Sequence, residues 1–153
     1  MKADTCGFTL LEVLIALTLL TVGMLGLASL LLDGLQASRH ALQHSQAVAL
    51  AADAAECIRA NRAGGNAYAL AAGTTLAAPA PACTTTVECA AAEMAAFDLY
   101  RWQQSVLQSL PGAQTAITVT PVTGTATHRY AITILWTQSG DSAAAELTLM
   151  VQA

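Results

Sequence analysis

A single carboxylate, Glu12, stands at the head of an uncharged apolar run that extends from Val13 to Leu32. As a helix rising 1.5 Å per residue, that run is about 30 Å long, the thickness of a bilayer's hydrocarbon core. An acidic residue at mid-membrane costs roughly 2.5–3.5 kcal/mol on insertion scales. A chain that carries Glu12 there is expected to use it. The rest of the sequence has room for one small domain, not two independent cores. The whole chain is 55% hydrophobic and 10% charged, too apolar for an ordinary soluble domain, and its net charge is −4. The cations Lys2, Arg39, Arg59, Arg62, Arg101 and Arg129 are scattered and form no run, so direct nucleic-acid binding by a broad basic surface is not expected.

Two ordinary readings of this N-terminus fall short. A secretory signal peptide needs a small-residue cleavage site after its apolar region. Here the tract continues to Asp33-Gly34, and the nearest approach, Gly26-Leu27-Ala28, is a poor one. A plain membrane anchor accounts for the length but for neither Glu12 nor the Gly7-Phe8-Thr9-Leu10 before it. The whole arrangement, Gly7-Phe8-Thr9-Leu10-Leu11-Glu12 and then the apolar run, resembles the class III signal of type IV pilins and type II secretion pseudopilins. The resemblance implies that a prepilin peptidase cuts between Gly7 and Phe8, that the new amine of Phe8 is methylated, and that Glu12 is the fifth mature residue. It implies three parts: a cleaved leader at 1–7, a transmembrane and polymerisation helix at 8–32, and a periplasmic head at 33–153 that includes the rest of the long helix. Charge evidence for orientation is weak, since Asp4 offsets Lys2. The family places the leader in the cytoplasm and the head in the periplasm, on a single-pass inner-membrane protein that later joins a surface fibre.

No proline precedes Pro79, so one helix can run from Phe8 to about Asn61, interrupted only by Gly23, Gly26 and Gly34. Gly23 and Gly26 suit either local unwinding or close approach of a neighbouring helix, and close packing is the favoured reading. Beyond the apolar run, Ala37, Ala41, His44, Val48, Ala51, Ala55 and Ile58 recur at alternating spacings of four and three. That stripe of mostly small residues suits a sheet lying close, with Asp33, Gln36, Gln43, Asp53 and Glu56 turned to water. The stretch 61–82, with Gly64-Gly65-Asn66 and Gly73, reads as an irregular connection. A second helix is expected from Glu93 to Leu110, carrying Leu99, Trp102, Val106 and Leu110 on one face and stopped by Pro111-Gly112. Three strands follow. Ile117 and Val119 alternate with threonines, Tyr130, Ile132, Ile134 and Trp136 share a face, and so do Leu147, Leu149 and Val151. Turns fall at Thr123-Gly124-Thr125 and from Ser139 to Ser142. The expected class is α+β: a long helix packed on a small antiparallel sheet, with an additional helix before the sheet, as in the type IV pilin fold.

The resemblance narrows along the chain. Leu35-Gln36-Ala37-Ser38, Ala49-Leu50-Ala51-Ala52-Asp53, Ile58-Arg59-Ala60-Asn61-Arg62, Ala96-Phe97-Asp98-Leu99-Tyr100 with Trp102, Leu110-Pro111-Gly112 and the strand Tyr130 to Trp136 look like the PilV-type minor pilins. Cys57 departs from that pattern, where a bulky apolar residue such as methionine is expected. A PilV-type subunit is structural and non-enzymatic and joins other minor and major pilins on an inner-membrane assembly platform to prime the pilus. Two rivals stand beside it: a minor pseudopilin of a type II secretion system, and a generic membrane-anchored binding or adhesion module. In an assembling pilin, Glu12 seeks the N-terminal amine of an adjacent subunit. Any other register leaves a charge unpaired in a low-dielectric core, so the pair sets the axial offset.

Other polar groups carry less. Cys83 and Cys89 enclose a short loop, and in an oxidising periplasm a disulfide between them is expected. No histidine pair stands near them to suggest zinc. Cys57 is left over, either a small buried apolar residue or a thiol for another subunit. His40 and His44 lie four apart, but the place of His44 on the small-residue stripe points to packing rather than to a metal. Asp53 and Glu56 lie three apart on a helix, where a solvated face is the ordinary reading. No nucleophile elbow, phosphate loop or zinc-protease motif occurs, so neither catalysis nor a cofactor is expected.

Overall fold

The structure, a computed structural model, describes residues 9–80, 83, 88–138 and 143–153. Gly7, Phe8 and the expected turn from Ser139 to Ser142 lie outside the described residues. The described chain divides into two units, Met1–Arg39 and His40–Ala153. One helix, α1 (Leu10–Ala60), contributes to both and is uninterrupted at Gly23, Gly26 and Gly34. A Cβ at any of these three glycines meets nothing within 4 Å, so the chain itself makes no close approach there.

The second unit is a helix-on-sheet head. Helix α2 (Ala91–Ser109) precedes a three-stranded antiparallel sheet of β1 (Gln114–Pro121), β2 (His128–Trp136) and β3 (Ala145–Gln152), in that spatial order. The hairpin register sets the core. Ile117 pairs Ile132, which pairs Leu149, and Val119 pairs Tyr130, which pairs Val151, so apolar side chains stack across all three strands on one face. The opposite face carries Thr118, Thr133 and Thr148 and is open to water. Glu93 supports the start of α2, its carboxylate accepting the N–H of Ala90 at 2.8 Å. Its end is made by Pro111 and by Gly112, whose φ of 60° only glycine adopts cheaply. The buried residues of α2 include Leu99, Trp102 and Val106, and Leu110 just beyond the helix is buried too. The expected elements are all present, with ends shifted by one or two residues.

Two expectations need correction. The buried face of α1 in the head runs through Ala47, Ala51, Ala54, Ala55 and Ile58, with His40, Gln43 and Leu50 half-buried beside it. Ala37, Ala41, His44 and Val48 are exposed, so the upper half of the expected stripe is displaced by about one residue, and Gln43 turns inward instead of to water. Alanine occupies so many positions here that two neighbouring stripes read alike, and packing against Trp102 and the sheet decides between them. Trp102 makes the choice explicit, since its indole N–H donates to the carbonyl of Leu50 at 2.8 Å. His44 still touches the head from outside, its ring 6.2 Å from that of Trp136. The second correction concerns the connection after α1. Residues Arg62–Tyr68 form a 3₁₀ segment broken at Gly65, and Leu70 then makes a two-way backbone bridge to Ile117, at 2.9 Å in each direction.

Candidate assembly site

Every described residue from Thr9 to Arg39 is solvent-exposed in the isolated chain, including Leu10 at 87% and Leu25 at 71%. No described part of the chain covers this surface, and it is far more than the few hundred Å² of contiguous apolar area that monomeric soluble proteins expose. Among the described residues, α1 is the one helix long and apolar enough to cross a membrane. Its hydroxyls suit such a medium, because Thr18 and Thr21 donate to the carbonyls of Ile15 and Thr18 at 2.8 Å.

Glu12 lies in the first turn of α1. The hydroxyl of Thr9 accepts the Glu12 N–H at 3.3 Å and the Thr9 carbonyl accepts it at 3.0 Å, so Thr9 caps the helix. An acidic residue in that turn gains about 0.3–1 kcal/mol from the helix dipole. The Glu12 carboxylate has no side-chain partner among the described residues, and what it can do chemically is accept a charged donor from another chain. The expected cleavage and methylation positions, Gly7 and Phe8, immediately precede the described start of this helix.

In the head, Cys83 and Cys89 form a disulfide, with Cα atoms 5.9 Å apart. The unpaired thiol, Cys57, is half-buried between α1 and α2. Burial first, and then the nearby Asp98 and Asp53 carboxylates, push its pKa up to about 11. At neutral pH it is a thiol with little nucleophilic thiolate. Sequence reading missed the polar cluster beside it. The Tyr68 hydroxyl donates to Asp98 Oδ2 at 2.8 Å and accepts from Asn61 Nδ2 at 3.2 Å, while Asn61 also donates to the Ala91 carbonyl at 2.7 Å. Burial and the bond to Asp98 raise the Tyr68 phenol well above its ordinary range. Gln103, nearly fully buried, accepts from the Leu76 N–H at 2.8 Å and donates to the Thr74 carbonyl at 2.7 Å and Thr115 Oγ1 at 3.0 Å. Both clusters are internal fastenings with their polar atoms spent on one another, and they hold the 61–80 connection against α2 and β1. No sequence signal marks them, since most of their partners are 27 to 30 residues apart. His40 and His44 join no group of three metal-ligating side chains, and none occurs among the described residues.

Two family models match adjoining stretches of the chain, up to residue 100. The prokaryotic N-terminal methylation motif matches residues 2–28, and the Tt1218-like model, described as type IV pilin Tt1218, matches residues 29–100. Over residues 29–100 the chain is similar to that type IV pilin family. Comparison with curated proteins and with solved structures returned no match. The long apolar helix, the further helix and the small antiparallel sheet are consistent with the type IV pilin fold. The pilin family is structural, and the methylation motif goes with prepilin peptidase processing and pilus assembly.

Proposed function

We propose that this pilin-like chain is a minor subunit of a type IV pilus, of the PilV type, that primes assembly from the inner membrane and takes a place at the fibre tip. The observation that carries the reading is the uncovered apolar face of α1 from Leu10 to Arg39, headed by Glu12 and coincident with the methylation motif. Leader residues 1–7 are removed by prepilin peptidase between Gly7 and Phe8, and Phe8 is methylated at its amine. Residues 8–32 hold the processed chain in the membrane and then pack among neighbouring pilins, while 33–153 faces the periplasm. Glu12 pairs with the N-terminal amine of an adjacent subunit and fixes the axial offset, because the desolvation cost of either charge alone is offset only in that register.

Intact mass from wild-type and peptidase-deficient cells tests the processing step. Loss of Met1 to Gly7 with a methyl on Phe8, in the wild type only, is the expected result, and retention of the leader in both strains would remove the assembly reading. Glu12→Ala is expected to leave membrane insertion intact while pilus incorporation falls sharply. Normal piliation in that variant would sink the register role. Recovery of the chain with secretion machinery rather than with pili would make it a minor pseudopilin.

A further inference from the structure

The connection after α1 leaves the sheet abruptly. Leu70 exchanges both backbone bonds with Ile117, at 2.9 Å each, so Ile117 turns its backbone to the outer edge of β1. In an antiparallel ladder Thr115, two residues earlier, faces the same edge. A connection that continued in register would pair there. Instead it folds back, with the Thr74 N–H donating to the Ala71 carbonyl at 3.2 Å across Gly73, whose φ is 74°. Gln103 holds the far side of that turn through the Thr74 carbonyl. The N–H and carbonyl of Thr115 are left with no backbone partner among the described residues.

Between this turn, α2 and the start of β1 lies a recess of about 180 Å³. Gln103 and Thr115, 3% and 2% exposed, form its floor. The Gln103 amide is bonded to Leu76, Thr74 and Thr115. Thr115 only accepts, from Gln103 at 3.0 Å, so its hydroxyl proton has no acceptor among the described residues. The rim adds the hydroxyls of Thr74 and Thr75 and the amide of Gln114, which make no side-chain hydrogen bond among the described residues. Leu107 and Ala113 supply an apolar wall, and no charged side chain lines the recess.

We propose that this recess binds one neutral sugar ring. Thr115 offers an N–H and an O–H that need acceptors and a carbonyl that needs a donor, all within one residue. Hydroxyls on neighbouring ring carbons serve both needs, because each donates and accepts. The C–H face of the ring packs on Leu107 and Ala113. An anion would meet the Thr115 carbonyl with no cation to hold it, and a cation would find no carboxylate. Size agrees, since an apolar cavity of about 150 Å³ holds benzene. A recess of about 180 Å³ holds a six-membered ring with its outer substituents in solvent. All the residues involved lie in the head, so the site does not depend on whether the chain assembles.

Titration of the full chain in dodecylphosphocholine micelles tests the site, since a detergent with a sugar head would itself compete. The probes are methyl α-glucoside, methyl β-galactoside and methyl α-mannoside, followed by residue-resolved amide shifts. At least one should saturate with a Kd on the order of 1 mM, ordinary for a ligand of this size. The shifts should centre on the amides of Gly73, Thr74, Thr75, Gln114 and Thr115. The paired change Thr75→Val with Gln114→Ala alters exposed side chains that hold nothing else in place, and should weaken binding at least about fivefold. No saturable shift with any probe at concentrations about tenfold above that Kd would overturn the proposal. So would shifts of equal size with cyclohexanol or N-methylacetamide, which would make the recess an apolar or an amide site. Unchanged affinity in the paired variant would overturn it as well, by placing the bound sugar elsewhere on the head.

Discussion

The two stretches of α1 follow the same helical rules and have opposite fates. From Leu10 to Arg39 the helix is leucine-rich and exposed on every side, whereas from His40 to Ala60 it is alanine-rich and buries one face from Ala47 to Ile58. Large apolar side chains all round make a helix that only lipid or other helices can cover. Small ones on a single stripe let α1 sit close to its own α2 and sheet. Side-chain size, more than hydrophobicity, separates the part of this helix that the chain leaves uncovered from the part that belongs to the head.

That contrast can be broken most strongly from the head side. Trp102→Ala removes a buried indole and its bond to Leu50, and is expected to cost about 3–5 kcal/mol in urea unfolding of the detergent-solubilised chain. Reduction of Cys83–Cys89 comes next, at about 2–3 kcal/mol for so short a loop on the entropic account, read as a lower unfolding midpoint under dithiothreitol. Gly64→Ala places a Cβ 2.7 Å from Tyr68 Cε2 and 3.0 Å from Asn61 Nδ2, and should cost about 1–3 kcal/mol in the same assay. The counterpart in the other stretch is Gly26→Ala, where nothing lies within 4 Å. Helix propensity there favours alanine by about 0.5–1 kcal/mol, and the head's unfolding midpoint should not move.

Alkali gives a further separation. The folded pKa of Cys57 is raised from 9.0 to about 11, so its burial stabilises the head fully below pH 9 and progressively less as pH rises toward 11. Tyr68, also raised, acts in the same sense above 10. The head's urea midpoint should therefore fall between pH 9 and 11, and Cys57→Ala should remove part of that fall. An unchanged midpoint across this range would contradict the burial of both groups.

How much of this was legible in the sequence follows from the range of each interaction. Alternation in Tyr130, Ile132, Ile134 and Trp136, and helical spacing in Leu99, Trp102 and Val106, are local signals with large side chains, and the structure has those strands and that helix. The alanine stripe misled by a residue because small side chains repeat at every offset. The Leu70 bridge and the bonds from Tyr68 to Asp98 and from Gln103 to Thr74 and Leu76 depend on partners far away in the chain, which no short window of sequence contains. The apolar run was legible for the opposite reason, since its length and composition mark it without any partner in the fold.

Gln103 has a consequence for how this protein can vary. One side chain satisfies the Leu76 N–H, the Thr74 carbonyl and the Thr115 hydroxyl, adding a third tie beyond the Tyr68 cluster and the Leu70 bridge. A single substitution there strands three polar groups at once, so the last part of the connection stands or falls on one amide.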